Sequence, residues 1–181
     1  MIIGILGLEG TGKTMLGVII ATIRKSQGAK IVSNVKTYKY NDYDFEKDFL
    51  FLIERTKSDR KKKPDNYLVF IDEIAQYLDA RNSMRPINKK LTLKLMQIRK
   101  YGMDMIYTAQ LLMSADIRLR KLTDTFLMPE YDKYKMTLSW KVVDVNGNSV
   151  DKKSITVNES IYKLYDTYED IDNNMVILKG S

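Results

Sequence analysis

Apolar and polar positions along this chain alternate between the periods typical of strands and of helices, which predicts an α/β protein. An apolar run at residues 1–6 predicts a buried strand, and the mostly apolar residues 15–24 are long enough for a helix. Gly28 is expected to end that helix, and residues 30–35 predict a second strand. The chain therefore opens in the order strand, helix, strand.

The middle of the chain continues this alternation. Apolar residues recur at spacings of four and three within residues 44–56, which predicts an amphipathic helix. The residues on its apolar face are Phe45, Phe49, Leu52 and Ile53. Residues 67–71 and residues 103–110 are apolar and predict two further core strands.

Two basic segments interrupt the pattern. Residues 58–65 read as a charged linker, which is either a solvated loop or a contact for phosphate. A later helix is predicted to carry apolar residues on one face and cations on the other. The apolar positions are Leu91, Leu95 and Ile98, and the cations are Lys89, Lys90, Lys94, Arg99 and Lys100. Such a face is either simply solvated or a contact surface for nucleic acid.

The C-terminal part of the chain has the pattern of a hairpin. Apolar residues alternate with polar ones from Met136 to Val142, and Asn146-Gly147 predicts a two-residue hairpin turn. A returning strand is expected through residues 155–157, and a short helix is expected to begin at Glu159 or Ser160. Tyrosines of this region could stack on bases or pack the hairpin against the core. They are Tyr131, Tyr134, Tyr162, Tyr165 and Tyr168.

These elements predict one α/β domain over residues 1–181, with a mainly parallel central sheet flanked by helices. Residues 1–130 are expected to form its core, and residues 131–181 a C-terminal extension of a β-hairpin and a short helix. A chain of 181 residues is long enough to bury a full core.

Composition narrows the possible chemistry. The chain has no Cys and no His, which excludes disulfide scaffolds, thiol or imidazole catalysis, and His/Cys zinc sites. Thirty Lys and Arg against twenty-three Asp and Glu give a net charge of +7 and an isoelectric point near 9.3, compatible with a polyanionic partner. No apolar stretch reaches the roughly 18 residues of a membrane span, and no signal peptide precedes the first strand, so an intracellular protein is expected.

A glycine-rich motif follows the first predicted strand. Residues 7–14 match GxxxxGK(S/T), the phosphate-binding P-loop. Its candidate nucleotide-binding residues are Gly7, Gly10, Thr11, Gly12, Lys13 and Thr14. Glycines let backbone N–H groups converge on phosphate at the positive end of a helix, Lys13 would reach the β and γ phosphates of ATP, and Thr14 would hold Mg²⁺. The alternative is a glycine-rich turn that matches by chance.

An acidic pair follows the strand at residues 67–71 and supports the P-loop interpretation. Carboxylates after an apolar strand are typical of a Walker B motif, and open α/β sheets bind ligands at that end of their strands. Asp72 is therefore expected to hold Mg²⁺, and Glu73 to act as the general base on the attacking water. An acidic surface turn is the alternative.

Three further candidates come from position alone. If the strand at residues 103–110 neighbours the acidic strand, Gln110 would lie beside the γ-phosphate, where it could sense it or orient water. Arg118 and Arg120 lie in a short basic segment and suit an arginine finger that completes a neighbouring subunit's site. The alternative for both arginines is a surface basic turn.

The order of these motifs resembles the FtsK/HerA superfamily of P-loop ATPases over about residues 1–130. Within it, the likeness is to the DNA-packaging ATPases of membrane-containing and archaeal viruses and to the Zot-like morphogenesis ATPases of filamentous phages. The matching elements are GxxGxGKT, the Asp-Glu pair, Asp79-x-Arg81, residues 99–102, Thr108-x-Gln110 and Ile117-Arg118. Zot-like proteins commonly carry a membrane-spanning segment after the ATPase domain, and this sequence contains none.

The resemblance implies a RecA-like core that assembles into a ring, usually a hexamer, and couples ATP hydrolysis to DNA movement. It makes Lys13, Thr14, Asp72 and Glu73 the ATP and Mg²⁺ residues, Gln110 the sensor and Arg118 the best finger candidate. Arg120 and Arg99 are weaker finger candidates.

The expected function is thus a translocase of double-stranded DNA that fills a viral capsid. It would be located in the cytoplasm or on the virion, with capsid or membrane proteins of the virion as further partners. The first alternative is a Zot-like ATPase that drives filamentous virion assembly or extrusion. Alternatives of another class are a small-molecule kinase and a nucleotide-regulated DNA-binding protein without turnover.

Overall fold

The computed structural model describes residues 1–35, 41–58, 66–78, 93–110 and 117–164. These residues contain eight strands in one sheet, in the order β3-β2-β4-β5-β1-β6-β7-β8. The strands are β1 (Ile2–Leu6), β2 (Lys30–Ser33), β3 (Asn41–Asp44), β4 (Tyr67–Ile71), β5 (Asp104–Ala109), β6 (Thr125–Asp132), β7 (Thr137–Val143) and β8 (Ser149–Thr156).

The strands from β3 to β6 in this order are all parallel. The P-loop strand β1 lies between β5 and β6, and β5 lies between β1 and the acidic strand β4. In register, Ile5 pairs with Thr108, and Ile71 pairs with Tyr107. The predicted mainly parallel sheet is confirmed, and the carboxyl ends of its strands meet at one edge.

The sheet becomes antiparallel beyond β6, where β7 pairs with β6 and β8 pairs with β7. The predicted hairpin is confirmed, but its two-residue turn is wrong. The amide of Asp144 donates to the carbonyl of Asn148, which leaves the three residues 145–147 as the loop. Gly147 has φ +90° and its amide donates to the Asp144 carbonyl, the arrangement of a type I turn followed by a left-handed glycine.

Two strands were not predicted from the sequence. The edge strand β3 reads Asn-Asp-Tyr-Asp and lacks apolar alternation, and it is held by the Asp42 carboxylate, which accepts from the Ile31 amide at 2.7 Å. The other is β6, which begins beside β1 and also pairs with β7. Residue 130 lies inside β6, so the sheet runs without interruption from the predicted core into the extension.

Helices cover both faces of the sheet. They are α1 (Lys13–Ser26), α2 (Phe45–Ser58), α3 (Ala75–Leu78), α4 (Ile117–Leu122) and α5 (Glu159–Tyr162). Residues 93–96 are also helical and lead into a 3-10 turn at Ile98–Tyr101. The short helix α5 begins at Glu159, and the Asn158 side chain caps it by accepting from the Ile161 amide at 3.2 Å.

Parts of several sequence predictions lie outside the described residues. They are the linker at 59–65, the segment 79–92 with Lys89, Lys90 and Leu91, and the tyrosines Tyr165 and Tyr168. Among the residues that are described, no helix is both long and apolar enough to span a bilayer.

Two buried clusters lie on opposite faces of the sheet. The first packs α2 against the sheet and includes Phe49, Leu52 and Tyr107. The second packs α1 against the other face, and it extends through Leu138 of β7 to residues of β8 and α5. Because the second cluster contains both P-loop helix and hairpin residues, the extension is part of the same core.

A glycine allows α1 to approach the sheet closely. A Cβ built at Gly17 would lie 2.4 Å from Cζ of Phe70, a β4 residue that is only 1% exposed. The buried ring has little room to move, so the position requires a residue without a side chain.

We expect Gly17→Ala to lower the free energy of unfolding by up to about 2 kcal/mol. Overpacking costs about 1–3 kcal/mol, while alanine returns only about 1 kcal/mol of helix propensity. Urea denaturation of both proteins measures the difference. In a Phe70→Leu background, which removes the ring, the same alanine should be neutral or stabilising. A Gly17→Ala protein more stable than the natural one would contradict the close packing.

Candidate active site

The P-loop connects β1 to α1 at the carboxyl edge of the sheet. Gly10 and Gly12 have φ angles of +76° and +89°, in the left-handed region that favours glycine. A Cβ at Gly12 would also lie 2.8 Å from Cδ1 of Leu138, so this position is restricted by packing as well as by backbone conformation. The glycine pattern of the motif thus corresponds to the loop that the structure contains.

The amino end of α1 is suited to bind an anion. Gly12 is its N-cap and supplies no side-chain cap, so the N–H groups of the first turn are not satisfied by a capping side chain. The Leu8 carbonyl accepts from the Lys13 ammonium at 2.9 Å and from the Thr11 hydroxyl at 2.8 Å. Lys13 is only 9% exposed and lies along the loop. Loop, helix end and ammonium together fit a chain of phosphates.

Asp72 follows β4 and meets the P-loop helix. The Thr14 hydroxyl donates to Oδ2 of Asp72 at 2.9 Å, and the Thr108 hydroxyl donates to Oδ1 at 2.6 Å. Burial raises the pKa of the Asp72 carboxyl, although the hydrogen bonds from Thr108 and Thr14 act in the opposite direction. A divalent cation would favour the ionised form. The two oxygen donors, Thr14 and Asp72, therefore fit Mg²⁺, which protein sites commonly bind through one or two carboxylates together with substrate phosphates.

The backbone of Asp72 is held by a side chain from β2's end. Asn34 donates through Nδ2 to the Asp72 carbonyl at 3.0 Å and accepts from the Asp72 amide at 2.8 Å. These two bonds lie beyond the last β2–β4 pair, Ser33 with Phe70, and the side-chain amide of Asn34 takes the place of a peptide group in them. Asp72 is thus fixed at its backbone by Asn34 and at its carboxylate by Thr108 and Thr14.

Glu73 has an unusual conformation for its residue type. Its φ is +51°, which costs about 1 kcal/mol or more in a residue with a Cβ, and such conformations concentrate at functional sites. Its amide donates to the Thr108 hydroxyl at 2.8 Å. Its carboxylate is exposed and accepts from Gln76 Nε2 at 2.8 Å. The turn directs Glu73 to the surface at the edge where the P-loop lies.

Gln110 is the first residue beyond β5. The preceding Ala109 pairs with Leu6, and its carbonyl accepts from the Gly7 amide at 3.3 Å. Because β5 lies between β1 and β4, the backbone of the exposed Gln110 leaves the sheet between the P-loop and the acidic pair. The Gln110 prediction depended on β5 lying next to β4, and these two strands are adjacent in the sheet.

The candidate arginines lie on α4 and on the 3-10 turn at Ile98–Tyr101. Arg118 and Arg120 are in α4, whose end leads to Asp124, and Asp124 accepts from the Ile2 amide at 2.7 Å at the amino edge of the sheet. Arg118 is exposed and Arg120 is half-buried, near enough to Tyr107 to lower its pKa while burial raises that pKa to about 12. Arg99 donates to the Leu122 carbonyl and pairs with Asp124 at 2.6 Å.

The structure therefore joins Thr14 to Asp72 and places Lys13, Glu73 and Gln110 at the same edge of the sheet, whereas the arginines are carried by α4 and the 3-10 turn. Sequence reasoning missed the roles of Asn34 and Thr108 within this group. Thr108 carried a signal, because it is a polar residue near the end of an apolar strand and is fully buried. Asn34 carried none, since an asparagine after a strand is common in turns.

The sequence matches no protein-family model and no curated protein. Similarity appears in the fold. The N-terminal domain of zonular occludens toxin from Neisseria meningitidis aligns over 91% of this chain and 98% of its own, with TM-score 0.57 and 18% identity. The genome packaging NTPase B204 from Sulfolobus turreted icosahedral virus 2, in complex with ATP-gammaS, aligns over 87% and 97%, with TM-score 0.56 and 13% identity.

The fold is that of a RecA-like P-loop ATPase. The DNA-packaging ATPase from Sulfolobus turreted icosahedral virus, with 17% identity and TM-score 0.52, has the same architecture over 87% of this chain. The likeness to Zot-like and viral packaging ATPases inferred from motif order is confirmed for the fold of this chain.

We expect Thr108→Val to destabilise the fold by about 1–3 kcal/mol, because valine keeps the volume but leaves the Asp72 carboxylate and the Glu73 amide short of a buried partner. Thr108→Ser keeps the hydroxyl and is the matched control, with a smaller loss. Urea denaturation near neutral pH compares the three proteins. Equal stability of the valine and serine variants would show that the hydroxyl bridge contributes nothing.

Proposed function

We propose that this chain is a Mg²⁺-dependent ATPase that moves double-stranded DNA and packages a viral genome. The observation that carries the ATPase part is the 2.9 Å hydrogen bond between the Thr14 hydroxyl and the Asp72 carboxylate. It joins residues 58 positions apart in the sequence, one on the phosphate-binding loop and one on the acidic strand. A glycine turn that matched the motif by chance would have no reason to contact the acidic pair.

In the proposed reaction, the α1 amides and Lys13 bind the phosphates of ATP and balance their charge. Thr14 and Asp72 would hold Mg²⁺, which when bound would neutralise negative charge on the phosphates. Gly7, Gly10, Thr11 and Gly12 shape the loop so that its N–H groups face the phosphates.

Glu73 accepts a proton from water as that water attacks the γ-phosphorus. The bond from the γ-phosphorus to the bridging oxygen breaks, which releases ADP and inorganic phosphate. Gln110 orients the water or senses the γ-phosphate. Arg118 of an adjacent subunit, with Arg120 as the weaker candidate, neutralises charge on the transferring group, which requires self-association into a ring, expected to be a hexamer.

Movement of DNA is proposed from charge and from the fold neighbours. The net charge of +7 favours a polyanionic partner, and two of the neighbours are a genome packaging NTPase and a DNA-packaging ATPase. On the hairpin, Lys141 and Lys152 are exposed and directly opposite each other in register. Like charges opposite one another repel, so a bound phosphate between them would relieve that repulsion.

A Zot-like role in virion assembly or extrusion is the second candidate. It is favoured by the zonular occludens toxin domain, which aligns over 91% of this chain, compared with 87% for the genome packaging NTPase. The two functions differ in whether DNA stimulates turnover.

We expect Glu73→Gln to retain ATP binding and lose hydrolysis by about 100-fold or more, because the amide cannot accept the proton from water. ATP turnover and nucleotide binding of the purified protein measure the two effects separately. Gln76→Ala is a control: it removes the hydrogen-bond partner of Glu73 and leaves the base in place. A Glu73→Gln protein with undiminished turnover would contradict the assignment, and a natural protein that binds ATP without turnover would indicate a regulatory binder.

We expect linear duplex DNA to stimulate turnover severalfold and Lys141→Gln/Lys152→Gln to abolish this stimulation while DNA-free turnover stays unchanged. The matched control is Lys153→Gln/Lys163→Gln, which removes two charges outside that face, since Lys153 lies on the opposite side of β8. Turnover is measured with and without DNA, beside the mass in solution with ATP. Hydrolysis indifferent to DNA would favour the virion-assembly role, and equal loss in both variants would place the DNA contact elsewhere.

A further inference from the structure

The strand order determines which way a bound nucleotide would be oriented along the P-loop. The acidic pair and Gln110 follow β4 and β5, which lie on one side of β1, whereas β6 lies on the other side. If the γ-phosphate faces Glu73 and Gln110, the β and α phosphates follow along the P-loop in the direction away from these two residues. The nucleoside must then emerge over the carboxyl end of β6, beside Gly12.

An aromatic residue occupies that place. Tyr131 is near the carboxyl end of β6, on the face that packs against α1. A Cβ at Gly12 would lie 3.3 Å from the Cβ of Tyr131, so the tyrosine lies next to the last residue of the loop. The ring is only half-buried, which leaves part of its surface available beside the loop.

A second ring completes an aromatic corner. Tyr162 of α5 is also half-buried, and its hydroxyl is hydrogen-bonded to that of Tyr131. The two rings meet edge to face, with centroids 6.5 Å apart and planes at 72°. The amide of Val157 donates to the Met136 carbonyl at 2.7 Å, which holds the chain entering α5 against the start of β7.

We propose that Tyr131 and Tyr162 form the nucleobase subsite of this ATPase, with the Tyr131 ring as the surface against which the base of a nucleoside triphosphate stacks. The inference rests on the proposed function, because it takes the phosphate positions from the P-loop. It assigns to the C-terminal extension a part of the nucleotide site, since the carboxyl end of β6 carries one ring and α5 carries the other.

The subsite recognises an aromatic base without reading its hydrogen-bonding edge. Stacking on a protein ring strengthens binding by about five- to 150-fold for each base, and every base has such a face. ATP and GTP are therefore expected to gain affinity alike from the rings, and inorganic tripolyphosphate, which has no base, gains nothing.

The test compares Mg²⁺-ATP, Mg²⁺-GTP and Mg²⁺-tripolyphosphate binding by isothermal titration calorimetry in the full chain. Tyr131→Leu keeps the Cβ beside Gly12 but removes the ring, and it should weaken ATP and GTP binding about tenfold. Its affinity for tripolyphosphate should stay unchanged. Tyr131→Phe is the matched control: it keeps the ring, loses the hydroxyl contacts with Tyr162 and with Sδ of Met136, and should bind all three like the natural protein.

Equal weakening of all three ligands in Tyr131→Leu would overturn the proposal, because the ring would then only support the P-loop. Unchanged binding of all three would overturn it too. Tyr162→Leu offers a second variant should Tyr131→Leu fail to fold, with the same selective loss expected. A natural protein that binds neither ATP nor tripolyphosphate would instead refute the ATPase itself, whereas one that binds both equally would refute the subsite alone.

Discussion

The arrangement of Asp72 is the constraint on which the rest of this molecule depends. Its carboxylate accepts hydrogen bonds from Thr14 at the start of α1 and from Thr108 in β5, and its backbone is paired with Asn34 after β2. A carboxylate with this much burial is unfavourable unless its oxygens are bonded, as the raised pKa of Asp72 indicates. The parallel order of β2, β4, β5 and β1 is what delivers all of these partners to one edge.

The same edge carries three of the positions with a left-handed backbone conformation. Gly10, Gly12 and Glu73 all have positive φ, and they flank the place where the phosphates are expected. Strain of this kind persists only where surrounding contacts over-determine the conformation. For Glu73 the contact is its amide bond to Thr108, so one buried hydroxyl positions both acidic residues.

The C-terminal extension is continuous with this site. Leu138 of β7 approaches Gly12 so closely that no side chain would fit there, and Tyr131, which pairs with Leu138 in register, approaches the same position. A P-loop that packs directly on the hairpin cannot change shape on nucleotide binding without affecting it. The uninterrupted sheet from β3 to β8 therefore joins the edge that carries the glycine loop and the acidic pair to the exposed lysines of β7 and β8.

How much could be predicted from the sequence differs between features. Helix α2 and strands β1, β2, β4 and β5 could be predicted because burial imposes a period on neighbouring residues. The edge strand β3 and the parallel strand β6 could not, since β3 is polar and β6 owes its place to β1 and β7. The hairpin turn was predicted one residue short, because the pairing of Asp144 with Asn148 decides its length and Asn-Gly fits more than one loop.

The glycine loop and the acidic pair can be recognised in the amino-acid sequence, because both are local spacings in which glycine conformation and strand burial act over a few residues. The residues that contact them are set by the packing of the strands. Thr108 and Asn34 reach Asp72 across 36 and 38 positions, and Tyr131 reaches Gly12 only through the order of the strands. Contacts of this range follow from how the sheet is assembled, and a linear pattern does not encode which strand ends will be neighbours.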